Sequence, residues 1–281
     1  MKGIMIQGTN SDSGKSFITT ALCRVFSDMG LKISPFKSQN MTRNTFITED
    51  GLEMGIAQAI QAEAARLKPS IFMSPILLKP RDVSPSEIIL MGKSYEPPNG
   101  KSYADFALST GLNAIRQCLK KIEDNFEMVV IEGAGSPAEI NLSKHEIVNM
   151  RVAKEADVPV ILVADINRGG AMAAIVGTLD LLGEDRNRVK GLIYNKFHGD
   201  VTLFQDAVRW TEEKTGIKVL GVIPWLEDVF LESEDSLSDK QEEKTVKELA
   251  LSEKEKNYNL LAKHVTGNIN VEYLLKEIIK I

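Results

Sequence analysis

Nine residues near the start of the chain have the types and spacing that handle phosphate. Gly8, Thr9, Asn10, Ser11, Asp12, Ser13, Gly14, Lys15 and Ser16 combine two glycines, hydroxyls, an amide and a lysine, and Phe17 opens a helical pattern directly after them. The glycines allow backbone conformations that a side chain obstructs, and successive N–H groups at the head of a helix point at anionic oxygens. In such a loop Lys15 reaches the β- and γ-phosphates and the Ser16 hydroxyl ligates Mg²⁺. The spacing departs from the common G-x-x-x-x-G-K-[ST] pattern by one extra residue between the glycines. A nucleoside triphosphate is the expected ligand.

Further along, polar residues follow apolar runs. Lys37, Gln39 and Asn40 come after one such run. A lysine there, taken alone, reads as a solvated surface charge; beside a phosphate loop it would neutralise a phosphoryl group in transfer. Glu132 ends the apolar run Val129-Val-Ile, where an unpaired carboxylate would be costly to bury, so it calls for a cation or several hydrogen-bond donors; nucleotide-bound Mg²⁺ meets that need. Glu53 lies just before an Ala-rich helix and reads equally as favourable charge at a helix start or as a Mg²⁺ ligand. Asp165 repeats the Glu132 pattern, and Arg168 is placed for an anionic substrate group. Asn195 reads as an amide at a nucleobase edge or as a turn former.

These residues need a scaffold that delivers strand ends to one place. Runs rich in β-branched residues, Gly3–Gln7, Lys32–Phe36, Met128–Glu132, Val158–Ala164, Val189–Asn195 and Lys218–Ile223, alternate with segments of helical periodicity, among them Phe17–Met29, Ala57–Leu67 and Ala171–Leu182. The pattern predicts an α/β fold: a mostly parallel sheet with helices on both faces, three layers of the P-loop NTPase type. Ligands on such sheets bind beyond the carboxyl ends of the strands, where five loops would converge: 8–16, 37–40, 132–135, 165–170 and 195–200.

Composition narrows the function classes. The 281 residues are 43% hydrophobic and 26% charged, with a net charge of −5. That balance provides no broad basic surface, so nucleic acid is not an expected partner. No apolar stretch approaches the roughly 20 residues that cross a bilayer, so no membrane association is expected. No signal peptide precedes the first strand, and the cytoplasm is the expected compartment. Cys23 and Cys118 lack metal-ligand spacing and read as buried structural thiols.

The chain resembles the cobyric acid synthases, within the dethiobiotin synthetase-like group of P-loop enzymes. The resemblance is carried by GTNSDSGKS at Gly8–Ser16, PFKSQNM at Pro35–Met41, AQAIQAEAA at Ala57–Ala65, MSPILLKP at Met73–Pro80, VVIEGAGSPAEINL at Val129–Leu142, VADINRGG at Val163–Gly170, GTLDLL at Gly177–Leu182, NKFHGD at Asn195–Asp200 and EDSL at Glu234–Leu237. It implies ATP-dependent amidation of carboxylates on a corrinoid, cobyrinic acid a,c-diamide, through an acyl phosphate that ammonia displaces. It further implies that Lys15 and Ser16 bind phosphate and Mg²⁺, that Lys37 stabilises the phosphoryl group, and that Glu53 and Glu132 complete the metal site. Asn195 would recognise adenine, and Gln39, Asn40, Asn44, Ser136, Glu139, Asn141 and Arg168 would contact the corrinoid.

The match covers residues 1–237, expected to form one ATP-binding amidoligase domain. Residues 238–281 are expected to be a charged linker and a C-terminal helical segment packed on or appended to it. Family members continue into a domain that hydrolyses glutamine through a G-x-C-x-G cysteine, and neither Cys23 nor Cys118 lies between glycines. Ammonia is therefore expected from a separate glutaminase subunit or from solution, the alternative being that the amidation role is lost. Relatives imply a homodimer. Two other readings remain open: a dethiobiotin synthetase-like carboxylase, against which the SPAEINL loop argues, and a nucleotide switch of the partitioning type, whose signature lysine is replaced here by Asn10.

Overall fold

The computed structural model describes residues 1–81, 86–98, 102–227 and 251–281. Its strands are β1 (Gly3–Gly8), β2 (Ile33–Phe36), β3 (Gln39–Met41), β4 (Thr45–Ile47), β5 (Glu53–Gly55), β6 (Ile76–Lys79), β7 (Glu87–Leu90), β8 (Lys93–Tyr95), β9 (Met128–Glu132), β10 (Val160–Asp165), β11 (Val189–Phe197) and β12 (Val219–Pro224). The α-helices are α1 (Lys15–Asp28), α2 (Ile56–Ala64), α3 (Tyr103–Phe106), α4 (Leu112–Asn125), α5 (Met150–Ala156), α6 (Ala171–Leu181), α7 (Gln205–Thr215), α8 (Leu251–Thr266) and α9 (Val271–Tyr273).

Six strands form one parallel sheet in the order β12-β11-β10-β1-β9-β2. Side chains alternate across it, as the two-residue period of a strand requires. Ile4 and Ile6 of β1 face a core shared with α1, α2 and α8 through Leu22, Phe26, Ile60 and Leu261. Met5 faces the opposite core, with Ile115 and Leu119 of α4, Val152 of α5 and Ile175 of α6. Each such aliphatic side chain stabilises the fold by about 1.5–3 kcal/mol through burial. The expected three layers and all six expected strands are present.

β1 is where the strand order reverses, with β9 and β2 on one side and β10 to β12 on the other. Loops after β1, β9 and β10 therefore part around a crevice at the carboxyl edge. The register aligns Ile6 with Glu132, Gly8 with Val163, and Asp165 with Asn195, so the candidate residues of four strands end at one level.

Two smaller sheets were not anticipated. β3, β6, β7 and β8 form a four-stranded mixed sheet, and β4 pairs antiparallel with β5. Their strands are three or four residues long, too short for a periodicity to register. The α8 segment is joined to the sheet-covering helices: buried Arg24 of α1 donates to Glu255 at 2.8 Å and to Asn259 at 2.7 Å, and the Tyr258 hydroxyl donates to Glu63 at 3.0 Å. The EDSL segment at Glu234–Leu237 and the expected boundary at 237 lie outside the described residues.

Candidate functional site

The loop between β1 and α1 is built for close approach. Gly14 has φ of 95°, a left-handed conformation open to glycine, and a Cβ there would stand 1.9 Å from Asn195 Nδ2. That amide donates to Ser13 O at 2.9 Å and so ties the loop to the end of β11. Lys15, almost wholly buried, donates to Asn10 O at 3.3 Å and lies back along the loop. A second clamp grips Asp12 of the loop: Arg168 reaches Asp12 Oδ2 at 3.2 Å, while Lys196 donates to Asp12 O and pairs with Asp165 Oδ2 at 3.2 Å. Asp12 and Lys196 both take positive φ, 58° and 61°, the kind of local strain that surrounding contacts must hold. Phe17 packs edge-on to His264.

Glu132 is the hub. Its Oε1 accepts from Ser16 Oγ at 2.8 Å and from Lys37 Nζ at 2.9 Å, and its Oε2 accepts from Gln61 Nε2. Glu132, Lys37 and Gln61 are all fully buried. Burial alone would push the carboxyl up, but the charge of Lys37 and the three donors outweigh it and hold Glu132 below the ordinary carboxylate range. The Lys37 backbone is fixed independently: its N–H donates to Met73 O at 2.9 Å, and the next residue, Ser38, donates to Ile147 O at 2.7 Å.

The donor set suits Mg²⁺. Ser16 Oγ and Glu132 Oε1 are hard oxygens beside the phosphate loop, and Mg²⁺ commonly takes one or two protein oxygens and fills its octahedron with phosphate and water. Among the described residues no group of three or more His, Cys, Asp or Glu could hold a metal ion.

The remaining candidates lie on other elements. Glu53 on β5 pairs with Lys79 of β6. Gln39 accepts from the Tyr103 hydroxyl, and Asn40 is buried beside Gly55 with Ser74 and Gln58. Asn44 donates its N–H to Thr42 Oγ1 at 2.9 Å. Ser136, Glu139 and Asn141 ride on the loop after β9, where Ser136 Oγ accepts from Ala138 N at 3.2 Å and Glu139 O accepts from Leu142 N at 2.9 Å. The base of that loop is pinned by Asn149 Nδ2 donating to Ala134 O at 2.6 Å. The structure thus gathers Ser16, Lys37 and Glu132 into one bonded group, and links Asn195 and Arg168 to the loop through Ser13 and Asp12. Gln61 and Lys196 were not singled out from sequence. A glutamine on the inner face of an Ala-rich helix was the available signal for Gln61.

A phosphate loop, a buried lysine–carboxylate pair on its serine, and a parallel sheet ending beneath them define a P-loop nucleotide-binding protein. The chain belongs to the CobQ/CobB/MinD/ParA nucleotide binding domain family, whose pattern it matches over residues 4–238. It is 51% identical over 236 residues to cobyric acid synthase of Geobacillus kaustophilus, covering 84% of this chain and 47% of the relative. It is 50% identical over 239 residues to the Trichodesmium erythraeum protein of that name (85% and 49% covered), and 47% identical over 240 residues to that of Vibrio parahaemolyticus (85% and 50%). The chain spans about half the length of the curated relatives it matches. The crystal structure of signal recognition particle receptor FtsY from Elizabethkingia anophelis in complex with GDP superposes with a TM-score of 0.46 at 18% identity, covering 79% of this chain and 56% of that one. The family resemblance read from the sequence is borne out. Among the described residues no helix is long and apolar enough to cross a membrane.

Proposed function

We propose that these residues form the ATP-dependent amidating unit of a cobyric acid synthase, which converts side-chain carboxylates of cobyrinic acid a,c-diamide to amides. A carboxylate oxygen attacks the γ-phosphorus and ADP leaves; ammonia then attacks the acyl carbon, phosphate departs with that oxygen, and the nitrogen loses a proton. Lys15 and Lys37 neutralise the phosphoryl oxygens during transfer, where positioning and charge stabilisation supply most of the catalysis. Mg²⁺ held by Ser16 and Glu132 would screen the nucleotide phosphates. In this reading Asn195 recognises the adenine, and Glu53 adds a second carboxylate toward the metal. The loops carrying Gln39, Asn40, Asn44, Ser136, Glu139, Asn141 and Arg168 receive the corrinoid.

The observation that carries the ligase reading is the sharing of Glu132 Oε1 by Ser16 of the phosphate loop and the buried ammonium of Lys37. The direction toward a corrinoid comes from the identity of about half the residues with proteins named cobyric acid synthase. Both cysteines are buried, so ammonia reaches the site from solution or from a glutaminase outside these residues. A homodimer in the cytoplasm is the proposed setting. The test is ADP release and product mass with Mg²⁺-ATP, cobyrinic acid a,c-diamide and ammonium, run against diaminopelargonate with bicarbonate and against ATP alone. Corrinoid-dependent turnover with a one-dalton loss per amide supports the proposal; turnover only with the diamine, or none beyond ATP alone, overturns it.

A further inference from the structure

Helix α2 carries two glutamines, Gln58 and Gln61, on a face fully excluded from solvent. Buried amides are costly unless bonded, so their presence in an otherwise Ala- and Ile-rich helix calls for a cause. Gln61 has one: its Nε2 donates to Glu132 Oε2, across 71 residues of sequence. Gln58 lies one turn earlier, beside Asn40 and Ser74 at Gly55, and among the described residues neither of its amide atoms has a partner. The two glutamines thus differ in one respect that matters, contact with the carboxylate.

A glutamate terminal torsion is broad, so a fixed Cα does not by itself decide the plane in which the carboxylate meets the phosphate loop. Ser16 and Lys37 both act on Oε1, and neither constrains Oε2. With Oε2 unbonded, the carboxylate could turn about that torsion until both oxygens share the two donors. The amide of Gln61 occupies it and removes that alternative.

We infer that Gln61 is a positioning residue: it fixes the plane of the Glu132 carboxylate, holding one oxygen toward Gln61 and the other toward Ser16, Lys37 and the incoming Mg²⁺-nucleotide. Outer-shell partners of this kind change metal affinity by about 10–100-fold when removed. The inference rests on the nucleotide and Mg²⁺ reading of the site and is independent of the corrinoid.

The experiment titrates a fluorescent ATP analogue into the full chain, in Mg²⁺ and in EDTA, for the unaltered protein, Gln61→Met, Gln61→Asn and Gln58→Leu. Mg²⁺ strengthens binding to the unaltered protein. Gln61→Met loses about 10-fold or more of that strengthening while its EDTA affinity stays unchanged, and Gln58→Leu keeps both. Gln61→Asn, which retains a buried amide but is too short to reach, behaves as Gln61→Met and serves where the latter does not fold. Full Mg²⁺ strengthening in the Gln61 variants, or equal weakening with and without Mg²⁺, overturns the inference. Absence of Mg²⁺ strengthening in the unaltered protein removes the cation site itself, and Gln61's role with it, while leaving the substrate assignment standing.

Discussion

Lys37 Nζ lies 2.9 Å from Glu132 Oε1 with both side chains wholly excluded from solvent, although 95 residues separate them in sequence. Such a pair is poor value as a stabiliser, because taking two charges out of water offsets most of their attraction. Its position on the phosphate-loop serine gives it a different use. The ammonium holds the carboxylate ionised, and the same carboxylate oxygen accepts from Ser16 of the phosphate loop.

Stability and function should therefore separate. Lys37→Met strips buried Glu132 of its counter-charge and costs about 3–5 kcal/mol, read by denaturant unfolding. Lys37→Met combined with Glu132→Leu recovers most of that loss, since an apolar pair of similar volume is often as stable. ATP turnover remains absent in both. Recovery of turnover in the double variant would show that the pair is structural only.

Gly14→Ala tests the loop geometry. The added methyl meets Asn195 Nδ2 at 1.9 Å and sits at φ of 95°, so the loop must shift away from β11. Nucleotide affinity is expected to fall at least tenfold, equivalent to about 1.4 kcal/mol. Asn195→Ala in the same background should restore part of the affinity if the clash, rather than the backbone strain, dominates. Calorimetric titration with ATP measures both.

Acid should loosen α8. Hydrogen bonding to Arg24 holds Glu255 below the ordinary carboxylate range. Its contribution is therefore complete above the unfolded value, about 4.3, and is lost as pH falls through the lower folded value. Glu255 is half-exposed, so the effect is small, about 1 kcal/mol or less. Glu255→Gln should melt below the unaltered protein at neutral pH and match it near pH 3. A gap that persists in acid would place the effect elsewhere.

Both thiols should be inert in the folded chain. Burial pushes Cys118 up to about 12, and burial with the nearby Glu132 charge raises Cys23 further. Raised values keep both groups protonated at pH 8, and access is blocked as well. A thiol reagent should label neither until denaturant is added. Rapid stoichiometric labelling of folded protein would contradict the packing around α1 and α4.

The parallel sheet was legible because each of its strands is an apolar run bounded by a change of periodicity, and the carboxyl-edge rule then selected Lys37, Glu132, Asp165 and Asn195 before any coordinates. What stayed hidden depends on side chains meeting across the fold. Nothing local marks Gln61 as the partner of Glu132, and Lys79 as the partner of Glu53 emerges only when β5 and β6 come together. The short strands of the mixed sheet escaped because three or four residues carry too little pattern, although Glu87–Leu90 is apolar enough to qualify. The extra residue of the phosphate loop was visible as a spacing anomaly. The clamping of Asp12 by Arg168 and Lys196 was not, since those residues reach it from the turn after β10 and from β11.

The most direct test of the central claim is ADP release by the purified chain with Mg²⁺-ATP and ammonium, with and without cobyrinic acid a,c-diamide, with products followed by mass. The account predicts turnover that depends on the corrinoid and on Lys37, with each ADP matched by one new amide. ADP release at the same rate without corrinoid, or amide formation undiminished in Lys37→Met, would contradict it.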